Sequence, residues 1–314
     1  MRWRECSAGL ASSGGGRFAL GLVLFSLLAT GCSSGGRDES AGDKARDLDP
    51  ASAAIAEALT FHASFDNGSD ADFGLGERRI HSAPSYEDQY QATPGIGSPD
   101  IEIAAGEGRF GDALRFKKKN TKALFYRAKD SVAYSDSDWS GTVSFWLSLD
   151  PSVDLEPGFC DPIQVTHAAY NDAALWVDFT KENPRQFRMG VFGDLKTWNP
   201  DNLAPNDNPN FQKRLVVVNR PPFERGRWTH IVITHTGLNT ESGAARLYID
   251  GELRGVTQGI SEPFTWDLER AAIRLGVNYV GLYDEVSFFS RALTNKEIQT
   301  LHELDEGVSS LYPG

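Results

Sequence analysis

Arg246-Leu247-Tyr248-Ile249-Asp250-Gly251-Glu252 and Tyr283-Asp284-Glu285-Val286-Ser287-Phe288-Phe289-Ser290-Arg291-Ala292-Leu293-Thr294-Asn295-Lys296-Glu297-Ile298 decide the fold of this chain. The first stretch alternates as a strand does and runs into Asp250-Gly251, a dipeptide suited to the positive-φ positions of a tight hairpin. The second is an aromatic strand, a short loop, and a helix opened by Thr294 with Glu297 three residues on. That spacing predicts a capping box, in which each side chain satisfies a backbone N–H at the helix start.

Outward from these segments the same period of two recurs between turn clusters. It predicts strands at Leu59–Phe65, Ala113–Phe116, Ala123–Arg127, Thr142–Leu149, Pro162–His167, Ala174–Phe179, Gln186–Phe192, Arg214–Val218, Trp228–Thr234, Glu252–Val256, Ala272–Leu275 and Gly281–Phe289. Several motifs stand in a telling order: Phe61-His62-Ala63-Ser64-Phe65-Asp66, Gly111-Asp112-Ala113-Leu114-Arg115-Phe116, Gly141-Thr142-Val143-Ser144-Phe145-Trp146 and Gly226-Arg227-Trp228-Thr229-His230-Ile231-Val232. With the closing segment, they resemble laminin-G-like domains of the concanavalin A-like superfamily. The resemblance implies an all-β, two-sheet antiparallel jelly-roll sandwich with a short C-terminal helix. Residues 67–107 are turn-rich and resist assignment. Residues 193–212 read as a long loop, which in a compact domain is usually functional or disordered.

With 314 residues, 11% aromatics, 18 Phe and 7 Trp, the chain can bury a large core. Its net charge of −12 repels phosphate backbones and argues against nucleic acid as a partner. The N-terminus carries Arg2, Arg4 and Arg17 before an apolar run from Phe18 to Leu28, short for a membrane span but suited to a signal-peptide core. Leu28-Ala29-Thr30-Gly31-Cys32 then resembles a bacterial lipobox, with Ala29 in place of the more usual Leu. The resemblance implies cleavage before Cys32, lipidation of its thiol and membrane attachment through the acyl chains. Ser33 after the cysteine implies delivery to the outer membrane of a double-membraned bacterium. The expected organisation is a signal peptide over 1–31, a solvated tether over 32–58 with a brief helix over Ala53–Leu59 at its end, the jelly roll over 59–306 and a tail over 307–314. Of three cysteines, only Cys160 lies in the domain, so no disulfide framework forms there.

Catalytic motifs are absent. The Glu-x-Asp-x-x-Glu strand of laminarinase-type relatives has no counterpart, because Glu303-Leu304-Asp305 lies at the end of the predicted helix and lacks the last Glu. No His-Glu-x-x-His or Cys-x-x-Cys occurs, and no Gly-x-Ser-x-Gly elbow falls within the predicted domain. Recognition is better supplied. Alternation puts Val143, Phe145 and Leu147 on one face and Trp146 on the other, and it sets Trp176 and Asp178 opposite Leu175, Val177 and Phe179. Arg188 falls likewise opposite Phe187, Met189 and Val191. Indole faces stack on sugar rings while Asp and Arg bond hydroxyls, so Trp146, Trp176, Asp178 and Arg188 form the expected ligand face, with Trp198 and Asn199 added from the 193–212 loop. The competing reading is that this loop covers the tryptophans. Asp66, Asn67, Asp70 and Asp72 make an oxygen cluster suited to Ca²⁺, against a plain Asx-rich turn. The resemblance implies a structural calcium at one edge of the sandwich, shared by Asp66 and Asp284. His62, His81, His167, His230, His235 and His302 show no zinc spacing.

The resulting expectation is an exported, lipid-anchored envelope protein bearing a non-catalytic domain that recognises a glycan or a surface protein. A polysaccharide-processing enzyme with an atypical site, and a structural protein with no small ligand, are the competing classes. Fold alone does not choose among them.

Overall fold

Alternating side chains become paired strands in the computed structural model, which describes residues 48–313 apart from Thr121 and Asn206. The chain opens with helix α1 (Pro50–Ala58) and strand β1 (Leu59–Ala63), then the short β2 (Phe73–Gly74), β3 (Ile80–Ala83), β4 (Thr93–Pro94) and β5 (Ile101–Ala104). There follow β6 (Ala113–Phe116), β7 (Ala123–Arg127), β8 (Trp139–Ser148), β9 (Cys160–Thr166), β10 (Ala174–Phe179) and β11 (Phe187–Phe192). Helices α2 (Leu195–Trp198) and α3 (Pro209–Lys213) precede β12 (Leu215–Val218), β13 (Thr229–Leu238), β14 (Gly243–Ile249) and β15 (Glu252–Ile260). The chain closes with β16 (Ala272–Val277), β17 (Gly281–Phe289) and helix α4 (Asn295–His302).

Two antiparallel sheets result. The first runs β15-β14-β13-β8-β17-β1-β2, with β6 also on β17 and β5 on β6. The second runs β12-β11-β10-β9-β16-β7-β3-β4. The inward alternate residues interdigitate as one core: Val143, Phe145, Leu147, Ile231 and Ile233 from the first sheet meet Ile163, Val165, Leu175, Val177, Met189 and Leu275 from the second. Each stands at 3% exposure or less, so the apolar stripes read from the sequence are the sandwich interior. The Asp250-Gly251 turn joins β14 to β15 with φ values of 52° and 76°. The capping box forms as the spacing predicts. Thr294 Oγ1 accepts from Glu297 N at 3.3 Å, and Glu297 Oε2 accepts from Thr294 N at 2.8 Å.

Residues 50–58 correct the expectation of a solvated tether reaching residue 58. Asp49 caps α1 by accepting from Ala51 N at 2.9 Å, Pro50 presets the first turn, and the alanine-rich run favours helix. Ile55 and Ala58 then pack with Ile298 and Leu301 of α4 on Val232, Tyr248 and Phe289, which the first sheet turns away from the sandwich core. Arg291 adds a bond from Nη2 to Ala54 O at 2.8 Å. The segment holds few large apolar residues, but one isoleucine and small alanines fill a thin helix–sheet interface. The expected tail is corrected too. Val308 and Leu311 form a 3₁₀ turn and are buried in the same layer. The unassigned stretch 67–107 holds strands of two to four residues, too short to show a period. The expected signal peptide, Cys32 and the first part of the tether lie outside the described residues.

Because Ile55 is fully enclosed, Ile55→Ala is expected to cost about 2–5 kcal/mol in urea-induced unfolding. A loss below about 0.5 kcal/mol would mean that α1 does not dock.

Candidate ligand site

The face expected from Trp146, Trp176 and Asp178 does not assemble. Trp146 lies on β8 and Trp176 on β10, strands of opposite sheets, and alternation points each away from the shared core. The two indoles therefore sit on opposite sides of the molecule. Trp176 is 1% exposed. Its ring lies across β11 at Gly190, where a Cβ would come within 2.2 Å of it, and it stacks on Phe192 at 5.8 Å. The 193–212 segment then closes over this side: Trp198 and Phe211 lie 5.1 and 4.9 Å from Phe192. Asn199 braces its own turn through Leu203, donating to O at 3.0 Å and accepting from N at 2.9 Å. Asp178 is buried, with both oxygens taken by Arg188, Nε at 2.8 Å and Nη2. Trp176, Asp178, Arg188, Trp198 and Asn199 are thus packing and pairing residues, and the reading in which the loop covers the tryptophan is the correct one for this sheet.

Nor do these carboxylates make an acid–nucleophile pair. Burial, and next the charge of Asp178, push the Asp161 carboxyl up to about 7, but Asp178 is spent on its arginine. Glu303 bonds Gln299 on the helix surface. Cys160 is buried, and burial lifts its thiol well above the ordinary range, which removes the reactive thiolate.

The other sheet holds a different construction. Asp284 of β17 faces Trp146 of β8, but Ser287 faces Ser144, so β17 carries one extra residue between them. This bulge resets the alternation. Tyr283 and Val286 both enter the core, and the consecutive carboxylates Asp284 and Glu285 both leave it on the outer side, with Glu285 at φ 56°. Glu285 bonds His62 Nε2 at 3.0 Å and accepts from Val308 N, while His62 Nδ1 meets the Tyr312 hydroxyl at 2.6 Å. Asp284 is fully enclosed; its Oδ2 accepts from Phe110 N at 2.9 Å and its Oδ1 has no hydrogen-bond partner among the described residues. Burial first, then Glu285, push this carboxyl up to about 9. Asp66 Oδ1 accepts from Asp112 N at 2.7 Å, against Gly111, where a Cβ would come within 2.1 Å of that oxygen. Two carboxylates therefore clamp the 108–112 turn from below.

The rest of the expected oxygen cluster is engaged elsewhere. Asp70 accepts from Ile80 N at 3.0 Å, and Asp72 accepts from Ser64 N at 2.8 Å and from Asn67 at 2.9 Å. Among the described residues no group of three or more His, Cys, Asp or Glu side chains gathers for a metal. A calcium ion at Asp66 and Asp284 would take its other ligands from backbone carbonyls and water. The unpaired, buried Asp284 Oδ1 fits such an ion. A groove of about 1080 Å³ adjoins Asp66 and is lined by Asp70, Asp72, Arg78 and Tyr312. Asp70, Asp72 and Tyr312 there are committed to the internal bonds already described.

The clamped turn reaches a smaller opening of about 400 Å³, lined by Arg109, Trp146, Arg227, Trp228, Asp250 and His302. That volume lies in the range of about 300–1,000 Å³ usual for small-ligand sites. Trp146 is its floor, 5% exposed. The ring pairs across the strands with His230 at 4.6 Å, and His302 at the end of α4 lies nearly parallel to both at 5.3 and 5.4 Å. Burial holds both imidazoles below their ordinary values, His230 the more strongly. Half-buried Trp228 supplies the accessible indole. The Arg109 guanidinium stands over Phe110 at 4.8 Å and Trp146 at 5.2 Å. Arg227 pairs with Asp250 at 2.7 Å. Of these residues the sequence reading singled out Trp146 alone. Arg227, Trp228 and Asp250 were quoted in motifs as evidence of fold, and nothing in their spacing announces that a hairpin turn, a strand start and a helix end converge.

A laminin-G family model (Laminin_G_3), described as the concanavalin A-like lectin/glucanases superfamily, matches residues 127–299, more than half of the chain. No curated protein matches the sequence. Among solved structures, domain 4 of AbnA, a GH43 extracellular arabinanase from Geobacillus stearothermophilus in complex with arabinotriose, aligns at 17% identity and TM-score 0.45, covering 78% of this chain and 98% of that one. The receptor binding domain of botulinum neurotoxin C/D mosaic serotype aligns at 11% identity and TM-score 0.52, covering 79% of this chain and 52% of the toxin chain. The serotype D binding domain gives 12%, 0.50, 81% and 52% for the same quantities. The chain thus spans about half the length of these toxin chains, and the likeness is one of fold. The sheet order, the inward stripes, the capped closing helix and the family match agree: this chain belongs to the concanavalin A-like lectin/glucanase superfamily, as a laminin-G-like jelly roll.

Proposed function

We propose that the domain is a non-catalytic glycan-recognition module whose site is the Arg109–Trp228 opening. The observation that carries this reading is the convergence there of an accessible indole, a second indole as floor, and two guanidinium groups in about 400 Å³. An indole face packs on the C–H face of a sugar ring while arginines and Asp250 bond its oxygens. A small concavity suits a sugar unit better than a surface protein, whose contact normally needs about 800 Å² on each side. Membership in a superfamily of lectins and glucanases is compatible with this reading and does not by itself select it. The protein is exported and held at the outer membrane by acyl chains on Cys32; the support is the Arg-flanked apolar run and the Leu28–Cys32 motif. A structural calcium ion lies between Asp66 and Asp284; the support is the orphaned, buried Asp284 oxygen.

Trp228→Ala is expected to weaken glycan binding about tenfold or more, roughly 1.4 kcal/mol, with little change in melting temperature. A glycan array followed by titration calorimetry checks this, and unchanged affinity would remove the pocket from the reading.

For calcium the sign follows from Asp284. Without a cation its folded value near 9 lies above the ordinary 3.8. Its contribution to stability is then full below about 4 and lost as pH rises toward 9. Thermal melts in chelator should therefore fall between pH 5 and 9 more steeply for the wild type than for Asp284→Asn. Calcium should raise the wild-type melting temperature at pH 7–8 and leave the variant unmoved. A wild type indifferent to calcium would refute the ion.

Cys32→Ser should leave residues 1–31 attached and abolish metabolic lipid labelling. Normal labelling of that variant would contradict the anchor.

A further inference from the structure

We infer that the preferred ligand of the Arg109–Trp228 opening is an acidic sugar, one bearing a uronic-acid-type carboxylate, and that Arg109 selects it. The inference rests on the glycan reading above and adds the chemical class. Its basis is the charge count within the opening. Arg227 is neutralised by Asp250 at 2.7 Å. His230 is buried and His302 half-buried against Trp146, and burial lowers the tendency of both imidazoles to take a proton. Arg109 is exposed, makes no ion pair among the described residues, and lies over the faces of Phe110 and Trp146, with His302 across the opening. One uncompensated cation thus stands at the rim of an aromatic pocket.

The position of Arg109 is set by the backbone around it. Phe110 N is held by Asp284, Asp112 N by Asp66, Gly108 N by Gly111 O at 2.9 Å and Gly106 N by Asp112 Oδ1 at 2.8 Å. A guanidinium based on a fixed turn and laid on two rings keeps its planar fork free for a carboxylate. It loses little freedom on binding one. The net charge of −12 would repel an anion at long range. Screening over about 8 Å at physiological salt leaves the local guanidinium in control. Asp284 lies behind the turn and is already bonded to its backbone, so it does not compete for Arg109 as an exposed carboxylate would.

The test is titration calorimetry of the full chain against matched pairs: oligomers of galacturonate, glucuronate and mannuronate, each beside its methyl ester. Ester and acid share ring and linkage and differ in charge. At least one acid should bind, with its ester about tenfold weaker or worse, and affinity should fall between 50 and 300 mM salt. Arg109→Ala should bring acid and ester to equal affinity with an unchanged melting temperature, and Arg109→Lys should recover only part of the difference. Equal binding of acid and ester by the wild type would overturn the acidic class while leaving glycan recognition standing. Acid preference that survives Arg109→Ala but is lost in Trp228→Ala would overturn the role of Arg109. No binding by any member of the set, with binding of neutral glycans on an array, would overturn the acidic class alone. No binding in either would overturn both readings.

Discussion

The bulge in β17 is the constraint on which the rest depends. β17 lies between β8 and β1 at the centre of the first sheet, and regular alternation there would put every second side chain into the core. One extra residue between Asp284 and Ser287 lets Tyr283 and Val286 both pack inward, and both carboxylates escape to the outer side. A buried carboxylate is tolerated only with partners. Glu285 finds them in His62 and the Val308 amide, which fastens the C-terminal turn to β1. Gly307 has to be small beside it, since a Cβ would approach Glu285 Oε2 to 2.5 Å. Asp284 finds one partner in Phe110 N and leaves one oxygen over.

From that pair of carboxylates the outer layer and the ligand opening follow. The fastened C-terminal turn joins α1 and α4 over Val232, Tyr248 and Phe289. Helix α4 in turn ends at His302, whose ring covers Trp146 and His230. The 108–112 turn, held by Asp284 and Asp66, supplies the opposite wall with Arg109. The opening is therefore made where a helix end, a clamped turn and the start of β13 meet over one indole. On the other sheet, Trp198 and Phe211 close over Trp176.

The architecture was legible because its signals are local. Period-two stripes, the Asp250-Gly251 turn and the Thr294–Glu297 cap each act within a few residues, and each appears where the sequence puts it. The site was far less legible. Alternation told correctly that Trp146 and Trp176 face away from the core, but it carries no information on which sheet each strand joins. The roles of Asp70 and Asp72 depend on backbone amides that only the folded turn presents. The docking of helix α1 was missed for an energetic reason: composition counts large apolar residues, whereas a thin interface needs one Ile55 and small neighbours. The Asp284-Glu285 bulge was in plain view, yet two adjacent carboxylates read equally well as alternate faces of a regular strand.

The central claim is that the outward carboxylate of Asp284 holds the turn that forms one wall of the opening. Amide hydrogen exchange at Phe110 tests it most directly, because that N–H donates to Asp284 Oδ2 at 2.9 Å. The account predicts slow exchange at Phe110 in the wild type and a marked acceleration in Asp284→Ala, confined to the 108–112 turn while the strand amides of β8 and β13 stay protected. Unchanged protection at Phe110 in that variant would contradict it.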